Sequence, residues 1–298
     1  MTMFWQRWAV NISCWLPDQK EFKYLLELLP VNAQAEVSKY RFSADRQRAL
    51  ISRLLQRRCL VEACPNPFSE IVIQRTKGGK PYCASPCNRS LAPNCNFNVS
   101  HEGDFVVLAA EPLCICGIDV AGPPQARQSK IQSMSDIKHT FQKQLTSAEW
   151  SAVTSAGSLA SQVQAFQRYW SLKEAFVKAR GDGLGFDLGR VEFEPVPSSG
   201  SLMQAMTARV DGKALHRWRF CVHVLGDHVV AVALGPPEDV IDAWGGFRAT
   251  FAKPELAYDE LQAALDTPRP AFSLLSVGDI IPVSARGGYA EAGGDLFR

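Results

Sequence analysis

The sequence predicts an α+β protein made of two similar halves, because a helix followed by a β-hairpin occurs twice along its 298 residues. Residues 103–110 (GDFVVLAA) are echoed by residues 226–233 (GDHVVAVA), an offset of 123 positions, and a strand-like run precedes each segment. The same offset carries the helix around Glu174 onto an arginine-rich helix in residues 44–62. Because both the helix and the hairpin recur at the same offset, the pattern indicates a duplicated unit. We therefore expect pseudo-twofold symmetry, with the active site in the cleft between the halves.

The duplication suggests where the chain divides. We predict an N-terminal α+β half over residues 1–120 and a C-terminal α+β half over residues 121–235. Beyond residue 234 the composition shifts to Gly, Pro, Asp and Ala. This shift predicts a tail over residues 236–298 that is partly ordered around residues 271–283 and otherwise flexible.

The N-terminal half is expected to open with a strand over residues 8–16 and to contain a long helix over residues 44–62. On helical geometry Arg46, Arg53 and Arg57 project in nearly the same direction. Such a face is either solvated or binds an anion. The sequence leaves both interpretations open.

A turn with two glycines and flanking cations follows a short strand over residues 71–74. Its residues are Arg75, Thr76, Lys77, Gly78, Gly79, Lys80 and Pro81. Glycines permit a tight turn, and amide and ammonium groups gathered in this way can hold phosphate. The turn is not a Walker motif, because the spacing and the hydroxyl after the lysine are missing.

The central helix, residues 170–179, carries Glu174 and Lys178 four positions apart, so the two side chains share one face. Both a solvated ion pair and a functional pair fit this spacing. An apolar stripe at helical spacing supports the helix itself. The stripe consists of Leu172, Phe176 and Ala179.

The ends of two helices can also be read from the sequence. Thr146, with Glu149 three positions later, predicts a capped helix start. The glycines of residues 181–185 predict the end of the central helix, as a C-terminal cap would.

Composition excludes several classes of function. The formal net charge of +2 gives no case for general nucleic-acid binding. The N-terminal residues lack the pattern of a signal peptide, and no apolar run reaches about 18 residues. We therefore expect a cytoplasmic protein that contacts neither nucleic acid nor membrane.

The nine cysteines are odd in number and scattered, which favours free thiols over a disulfide framework. Cys83, Cys87 and Cys95 raise the possibility of zinc. Their spacing lacks a paired knuckle, however, and no histidine follows at ligand distance. Zinc is therefore the less favoured interpretation of these residues.

The acidic residues point to magnesium with a polyphosphate. Magnesium usually takes one or two carboxylates, several waters and substrate phosphate oxygens. Asp119, at the end of a strand, and Glu174 supply that number of carboxylates. Lys178, Lys80 and His101 are candidate donors to the same phosphates, and Arg75 to a more distant one.

Taken together, these motifs resemble the 4′-phosphopantetheinyl transferases, of the large pseudodimeric type that includes the animal enzymes. The matching segments follow one another in family order and spacing, and the likeness extends over roughly residues 8–235. They are residues 75–81, 96–101, 117–119 and 170–179. The resemblance implies transfer of the phosphopantetheine arm of coenzyme A to a serine of an acyl carrier protein or related carrier domain, with Mg²⁺ as cofactor and release of adenosine 3′,5′-bisphosphate.

The resemblance also implies roles for individual residues. Asp119 and Glu174 look like the magnesium ligands, and Glu174 also looks like the base that deprotonates the serine. Lys178 and His101 look like phosphate ligands in the catalytic centre. The remaining implied contacts to coenzyme A are Arg75, Thr76, Lys77, Gly78, Gly79, Lys80, Asn98, Val99 and Ser100. We expect the enzyme to act as a monomer.

Two positions depart from the family pattern. A basic residue that contacts the nucleotide end falls on Glu36, where Lys39 or Arg41 are possible substitutes. A second acidic metal ligand found in bacterial members falls on Ala121, and water or Glu102 would complete the coordination. A non-catalytic module that binds coenzyme A or carrier proteins is the alternative function, which an intact base beside the metal argues against.

Overall fold

The computed structural model describes residues 4–123, 133–197 and 203–297 and has the mixed α+β architecture that the sequence predicts. The α-helices are α1 (Gln19–Glu27), α2 (Val31–Ser38), α3 (Ser43–Leu60), α4 (Met134–Phe141), α5 (Ser147–Thr154), α6 (Leu159–Arg180), α7 (Tyr258–Asp266) and α8 (Arg286–Glu291). The β-strands are β1 (Gln6–Asn11), β2 (Ile73–Arg75), β3 (Pro81–Cys83), β4 (Asn96–Glu102), β5 (Phe105–Glu111), β6 (Ile115–Ala121), β7 (Val191–Pro195), β8 (Gln204–Val210), β9 (Lys213–Ala214), β10 (Arg219–Leu225), β11 (His228–Gly235) and β12 (Ser273–Leu274).

The strands form two main sheets. The first has the order β12-β1-β5-β4, in which β12 is parallel to β1 and the other pairs are antiparallel. The second has the order β6-β11-β10-β8-β7, with β9 paired to β8, and its pairs are antiparallel. The short strands β2 and β3 form a separate hairpin around the glycine turn. Both predicted Gly-Asp hairpins, β4-β5 and β10-β11, are confirmed.

Strands β5 and β11 are apolar along their length because both of their faces are buried. Side chains alternate across a strand, so every second residue faces the same way. In β5, Val106 and Leu108 pack into a core with α3, whereas Phe105 and Val107 pack into a second core shared with β6 and β11. The opposite face of β11 meets α6 in a third core. Helices α3 and α6 therefore cover the outer faces of the two sheets.

Helix α6 is held in place at both ends and along its side. Ser158 accepts a hydrogen bond from the amide of Ser161 at the start, and Gly181 ends the helix with a left-handed φ of 86° that favours glycine. In its middle, the buried Lys173 ammonium lies 2.7 Å from Glu149 Oε2 on α5. Glu149 also completes the predicted capping box with Thr146.

The described C-terminal residues are more ordered than the sequence predicts. Helices α7 and α8 lie outside the segment 271–283 that we expected to be ordered. Leu261 and Tyr289 are fully buried in two different cores, and β12 pairs with β1. The composition did not predict these helices, because the apolar residues that fix them are widely spaced among glycines and prolines. Leu261 and Tyr289 are two such residues.

Strand β6 also differs from expectation. The sequence assigned it to the N-terminal half, whereas its hydrogen-bonded neighbour is β11 of the second sheet. Asp119 and Glu174, which fall in different predicted halves, therefore lie on a strand and a helix of the same sheet unit. No helix of the described residues is both long and apolar enough to cross a membrane.

Candidate active site

Asp119 lies at the centre of a buried polar cluster. Its Oδ1 atom accepts hydrogen bonds from Lys178 Nζ at 2.5 Å and from Ser100 Oγ at 3.0 Å. Lys178 also donates to Ser100 Oγ at 3.0 Å. The carboxylate is 6% exposed, so it interacts mainly with these protein groups. Strand β4, strand β6 and helix α6 thus contribute one residue each to the cluster.

Gly117 allows α6 to approach β6 closely enough for these contacts. A Cβ atom built on Gly117 would lie 2.0 Å from the carbonyl oxygen of Ala175 and 2.4 Å from the amide nitrogen of Ala179. Both are backbone atoms of α6, which cannot move aside independently. Glycine at this position therefore sets the distance between Asp119 and the functional face of the helix.

Glu174 and Lys178 face a cavity, whereas their neighbour Lys173 points into the protein. Burial raises the pKa of Glu174, the negative charge of Asp119 raises it further, and Lys178 opposes both effects. The two carboxylates therefore influence each other electrostatically, and their joint role in holding a metal stays a prediction. A carboxylate with a raised pKa accepts a proton more readily near neutral pH.

Glu102 is a third carboxylate at this site. Glu102 is exposed, yet desolvation of its carboxylate raises its pKa to about 7, and the charge of Asp119 adds to this effect. Lys178, Arg48 and a hydrogen bond from the backbone amide of Gly122 act in the opposite direction. Glu102 and Glu174 therefore both lie within the electrostatic influence of Asp119 and Lys178.

His101 lies beside the same cluster and is neutral at physiological pH. Burial lowers the pKa of its imidazole to about 4, helped by the positive charges of Arg48 and Lys178. A neutral imidazole can donate a hydrogen bond to a phosphate from one ring nitrogen without adding charge. Arg48 of α3 donates to the carbonyl of Gly103 at 2.8 Å.

Polar side chains of β4 join the two sheets. Asn96, Asn98 and Ser100 alternate along β4 and accept hydrogen bonds from backbone amides of β6. The donors are Cys116 at 3.0 Å, Ile118 at 2.9 Å and Val120 at 3.4 Å. These side chains take the place of a strand partner along the free edge of β6. Asn98, predicted to contact coenzyme A, therefore also has a structural role.

The glycine turn packs against the end of α6. A Cβ on Gly78 would lie 2.0 Å from the carbonyl oxygen of Gly181, and Gly79 adopts a φ of +88°. Thr76 is buried, with its backbone amide donating to the Lys80 carbonyl at 3.0 Å. Lys77 is exposed. The turn is thus fixed beside the helix end, as a preformed anion site requires.

Lys80 does not direct its ammonium group into open space. The buried Nζ atom donates to the carbonyl of Cys116 at 2.7 Å and to that of Lys178 at 3.0 Å. Burial lowers the pKa of Lys80 to about 8. Lys80 therefore ties the glycine turn to both β6 and α6, and its contact with coenzyme A stays a prediction.

A cavity of about 760 Å³ runs from this acidic cluster past the glycine turn. The predicted residues that line it are Arg75, Gly78, Gly79, Lys80, Asn98, Val99, Ser100, His101, Glu174 and Lys178. Thr76, Lys77 and Asp119 are not part of the lining, although Asp119 lies directly behind Ser100 and Lys178.

Several lining residues were not predicted individually. Arg53 of α3 was predicted only as part of a basic face. No local sequence pattern marks four other lining residues, which are Ser52, Tyr40, Lys143 and Phe186. Burial lowers the pKa of Arg53, and the nearby charge of Arg75 lowers it further. Two guanidinium groups close enough to repel each other favour an anion between them. Arg57, by contrast, is buried and donates to the carbonyls of Phe68 and Ile71.

The site therefore has an acidic end, formed by Asp119, Glu174 and Glu102, and a basic wall that includes Arg53 and Arg75. The acidic end fits a divalent cation, since carboxylate oxygens are the ligands such ions prefer. The basic wall fits phosphate groups. A ligand with several phosphates would contact both regions at once.

Comparison with known proteins identifies the family of the chain. Residues 13–113 match the N-terminal family of 4′-phosphopantetheinyl transferase, and residues 115–233 match the 4′-phosphopantetheinyl transferase superfamily. The second match begins at the first residue of β6, in agreement with the pairing of β6 in the second sheet.

Curated relatives cover most of the chain. The L-aminoadipate-semialdehyde dehydrogenase-phosphopantetheinyl transferases of Rattus norvegicus and Homo sapiens are each 34% identical over 236 residues, which is 78% of this chain and 75% of theirs. A phosphopantetheinyl transferase of Thraustochytrium sp. is 34% identical over 234 residues, covering 77% of this chain and 78% of its own.

Proposed function

The chain belongs to the 4′-phosphopantetheinyl transferase superfamily, and on that premise we propose that it transfers the 4′-phosphopantetheine group of coenzyme A to a serine hydroxyl of a carrier-protein domain. The observation that carries the proposal is the arrangement of Asp119, Glu174 and Lys178 at one end of a cavity that also has a basic wall. Such a cavity suits the diphosphate and the nucleotide phosphate of coenzyme A.

We propose that Asp119 and Glu174 hold a magnesium ion, with Glu102 as a further ligand. The negative charge of Asp119 raises the pKa values of both Glu174 and Glu102, so the carboxylates repel one another. The donor set fits the ion, because a divalent cation bound among them would relieve this repulsion. When bound, magnesium supplies charge neutralisation for the diphosphate.

The transfer then depends on groups of this chain. Glu174 accepts the proton of the carrier serine while the serine oxygen bonds to the phosphorus that bears the pantetheine. The bond from that phosphorus to the oxygen of the departing adenosine 3′,5′-bisphosphate breaks at the same centre. Lys178 and neutral His101 hold phosphate oxygens by hydrogen bonds, which stabilises the negative charge on the group in transfer.

Arg53 and Arg75 are the proposed contacts to the phosphates at the nucleotide end. Glu36, which occupies the position of the family's basic contact, forms an ion pair with Lys39 and lies within the electrostatic influence of Arg53 and Arg75. Arg53 therefore offers a replacement cation from the neighbouring helix. Lys39, which the sequence offered as a substitute alongside Arg41, pairs with Glu36 at the surface.

We further propose that the two sheet units are related by a pseudo-twofold axis and that the cavity is the cleft between them. The antiparallel order β1-β5-β4 recurs as β6-β11-β10, and each unit carries a long helix on its outer face. Residues of both α3 and α6 line the cavity. Activity as a cytoplasmic monomer also stays a prediction.

Mass spectrometry of a carrier domain tests the proposed function. The protein is incubated with coenzyme A, magnesium and an apo acyl carrier domain, and a carrier whose reactive serine is replaced by alanine serves as the control. The proposal requires the added phosphopantetheine mass on the serine-containing carrier alone. Tight binding of coenzyme A without any added mass would instead support a non-catalytic binding module.

A further inference from the structure

Four cysteines from separate parts of the chain lie near the end of the β2-β3 hairpin that is away from the glycine turn. This cysteine cluster consists of Cys64, Cys83, Cys87 and Cys95. Cys64 follows α3, Cys83 ends β3, Cys87 lies in the loop after it, and Cys95 directly precedes β4. All four are free thiols, and three of them are buried. The proposed transfer reaction uses none of them.

Three of the four sulfur atoms of the cysteine cluster lie close together. Those of Cys64, Cys83 and Cys87 all lie within 4.8 Å of one another. The Sγ atom of Cys64 is 3.5 Å from that of Cys83 and 2.9 Å from that of Cys87. Cys95 does not lie within 4.8 Å of all three, but it lines one small cavity of about 250 Å³ together with Cys83 and Cys87.

These distances are close to those of a tetrahedral thiolate site. Zinc–sulfur bonds of about 2.3 Å place the four sulfurs about 3.8 Å apart. That spacing requires Cys87 to move outward from Cys64 and Cys95 to move inward as the fourth ligand. The contact at 2.9 Å is too long for a disulfide bond, which is about 2.05 Å.

We propose that the cysteine cluster binds one zinc ion as a structural site with four thiolate ligands. Four protein ligands complete the tetrahedral coordination of zinc, so the ion would have no open position for catalysis. Binding releases the thiol protons to solvent as the four thiolates form. The inference concerns a different part of the chain from the proposed active site and does not depend on the proposed reaction.

The surroundings favour a group with net negative charge. Four thiolates around a divalent ion carry two negative charges. Arg57 is buried nearby and interacts electrostatically with Cys83. Among the described residues its guanidinium pairs with no carboxylate and donates only to the carbonyls of Phe68 and Ile71. Buried charges are usually paired, and the zinc–thiolate group supplies a counter-charge for Arg57.

The site would fix the elements that position the cavity. Cys83 and Cys95 bracket the loop between β3 and β4, and Cys64 anchors that loop to the end of α3. Strand β4 carries Asn98, Ser100 and His101, while the β2-β3 hairpin carries the glycine turn. One zinc ion would therefore hold strand β4 and the β2-β3 hairpin, which both contribute residues to the cavity, to the end of α3.

Metal analysis of the full-length protein tests the proposal. The protein is purified under reducing conditions, and its zinc and iron contents are measured by mass spectrometry. We expect one zinc per chain in the unmutated protein and less than about one fifth of that in Cys87→Ser or Cys64→Ser. Cys14→Ser, which alters an exposed thiol outside the cluster, should retain the zinc. Asp119→Asn should also retain it, which separates this site from the proposed magnesium site.

Cobalt substitution tests the geometry without any variant. Reconstitution of the unmutated, metal-depleted chain with Co²⁺ should give thiolate-to-metal charge-transfer absorption and the visible bands of tetrahedral cobalt. Three results would each overturn the proposal. They are zinc-free protein that also fails to bind cobalt, iron in place of zinc, and a Cys64–Cys87 disulfide in the reduced preparation. So would full zinc content in Cys87→Ser.

Discussion

The ammonium nitrogen of Lys178 lies 2.5 Å from a carboxylate oxygen of Asp119, although the two residues are 59 positions apart in the chain. The contact exists because α6 rests directly on β6 at Gly117. It places the Asp119 carboxylate directly behind Lys178, at the acidic end of the cavity. The proposed chemistry depends on this contact between helix α6 and strand β6.

Asp119→Asn should reduce carrier modification about as much as a change of Glu174, since each carboxylate supplies half of the proposed pair of metal ligands. The amide keeps the shape of the side chain but removes the charge that attracts magnesium. We expect the magnesium concentration at half-maximal rate to rise at least about tenfold. A magnesium titration of the transfer rate measures this, with Glu27→Gln as an exposed control. An unchanged magnesium requirement would exclude Asp119 as a ligand.

Gly117→Ala should move α6 away from β6. The added methyl carbon would lie 2.0 Å from the Ala175 carbonyl oxygen, so backbone must shift. Overpacking of this kind typically costs about 1–3 kcal/mol and sometimes more. Urea denaturation should show that loss, accompanied by a lower transfer rate. Gly287→Ala is the matched control, because no atom lies within 4 Å of the added carbon. Normal stability and rate in Gly117→Ala would contradict the packing argument.

Lys80→Ala should destabilise the protein, whereas Lys77→Ala should not. Lys80 satisfies two buried carbonyls, and leaving each unpaired costs about 1–3 kcal/mol. Lys77 is exposed on the same turn. Urea denaturation of the two variants at pH 7 measures the difference, and equal stabilities would argue against the structural role of Lys80.

The effect of Lys80 should also depend on pH. Burial lowers its pKa to about 8, below the value of about 10.4 in unfolded chains. Between these values the unfolded state binds more protons, so the contribution of Lys80 to the free energy of unfolding rises with pH. The stability deficit of Lys80→Ala should therefore be larger at pH 9.5 than at pH 7. A deficit that shrinks over this range would contradict the burial of the charged group.

Arg53→Ala should weaken coenzyme A binding about tenfold or more, because a hydrogen bond to a charged group contributes about 1.5–3 kcal/mol. Calorimetric titration with coenzyme A measures the affinity. Arg46→Ala alters the same helix at a position outside the cavity lining and should bind normally. Equal affinities in both variants would remove Arg53 from the proposed nucleotide contacts.

The sequence predicted the pieces of this site better than their arrangement. Local signals were sufficient for the Gly-Asp hairpins, the capping box at Thr146 and the shared face of Glu174 and Lys178. Each of these depends on residues a few positions apart, where helix and turn geometry determine the outcome.

The features that the sequence did not predict depend on distant contacts. The pairing of β6 with β11 joins segments more than 100 residues apart, and no local pattern records it. The inward direction of the Lys80 ammonium depends on the carbonyls of Cys116 and Lys178. Likewise, Cys64 joins the cysteine cluster only through the packing of α3, so spacing around Cys83, Cys87 and Cys95 alone argued against zinc.

Glu174→Gln tests the central claim most directly, because it removes the proposed base and one metal ligand while keeping the size of the side chain. Single-turnover mass spectrometry with an apo carrier, coenzyme A and magnesium should show carrier modification reduced by at least about 10²-fold. Calorimetry on the same preparation should show coenzyme A binding largely retained. Carrier modification at the unmutated rate would contradict the roles of Glu174 as base and metal ligand.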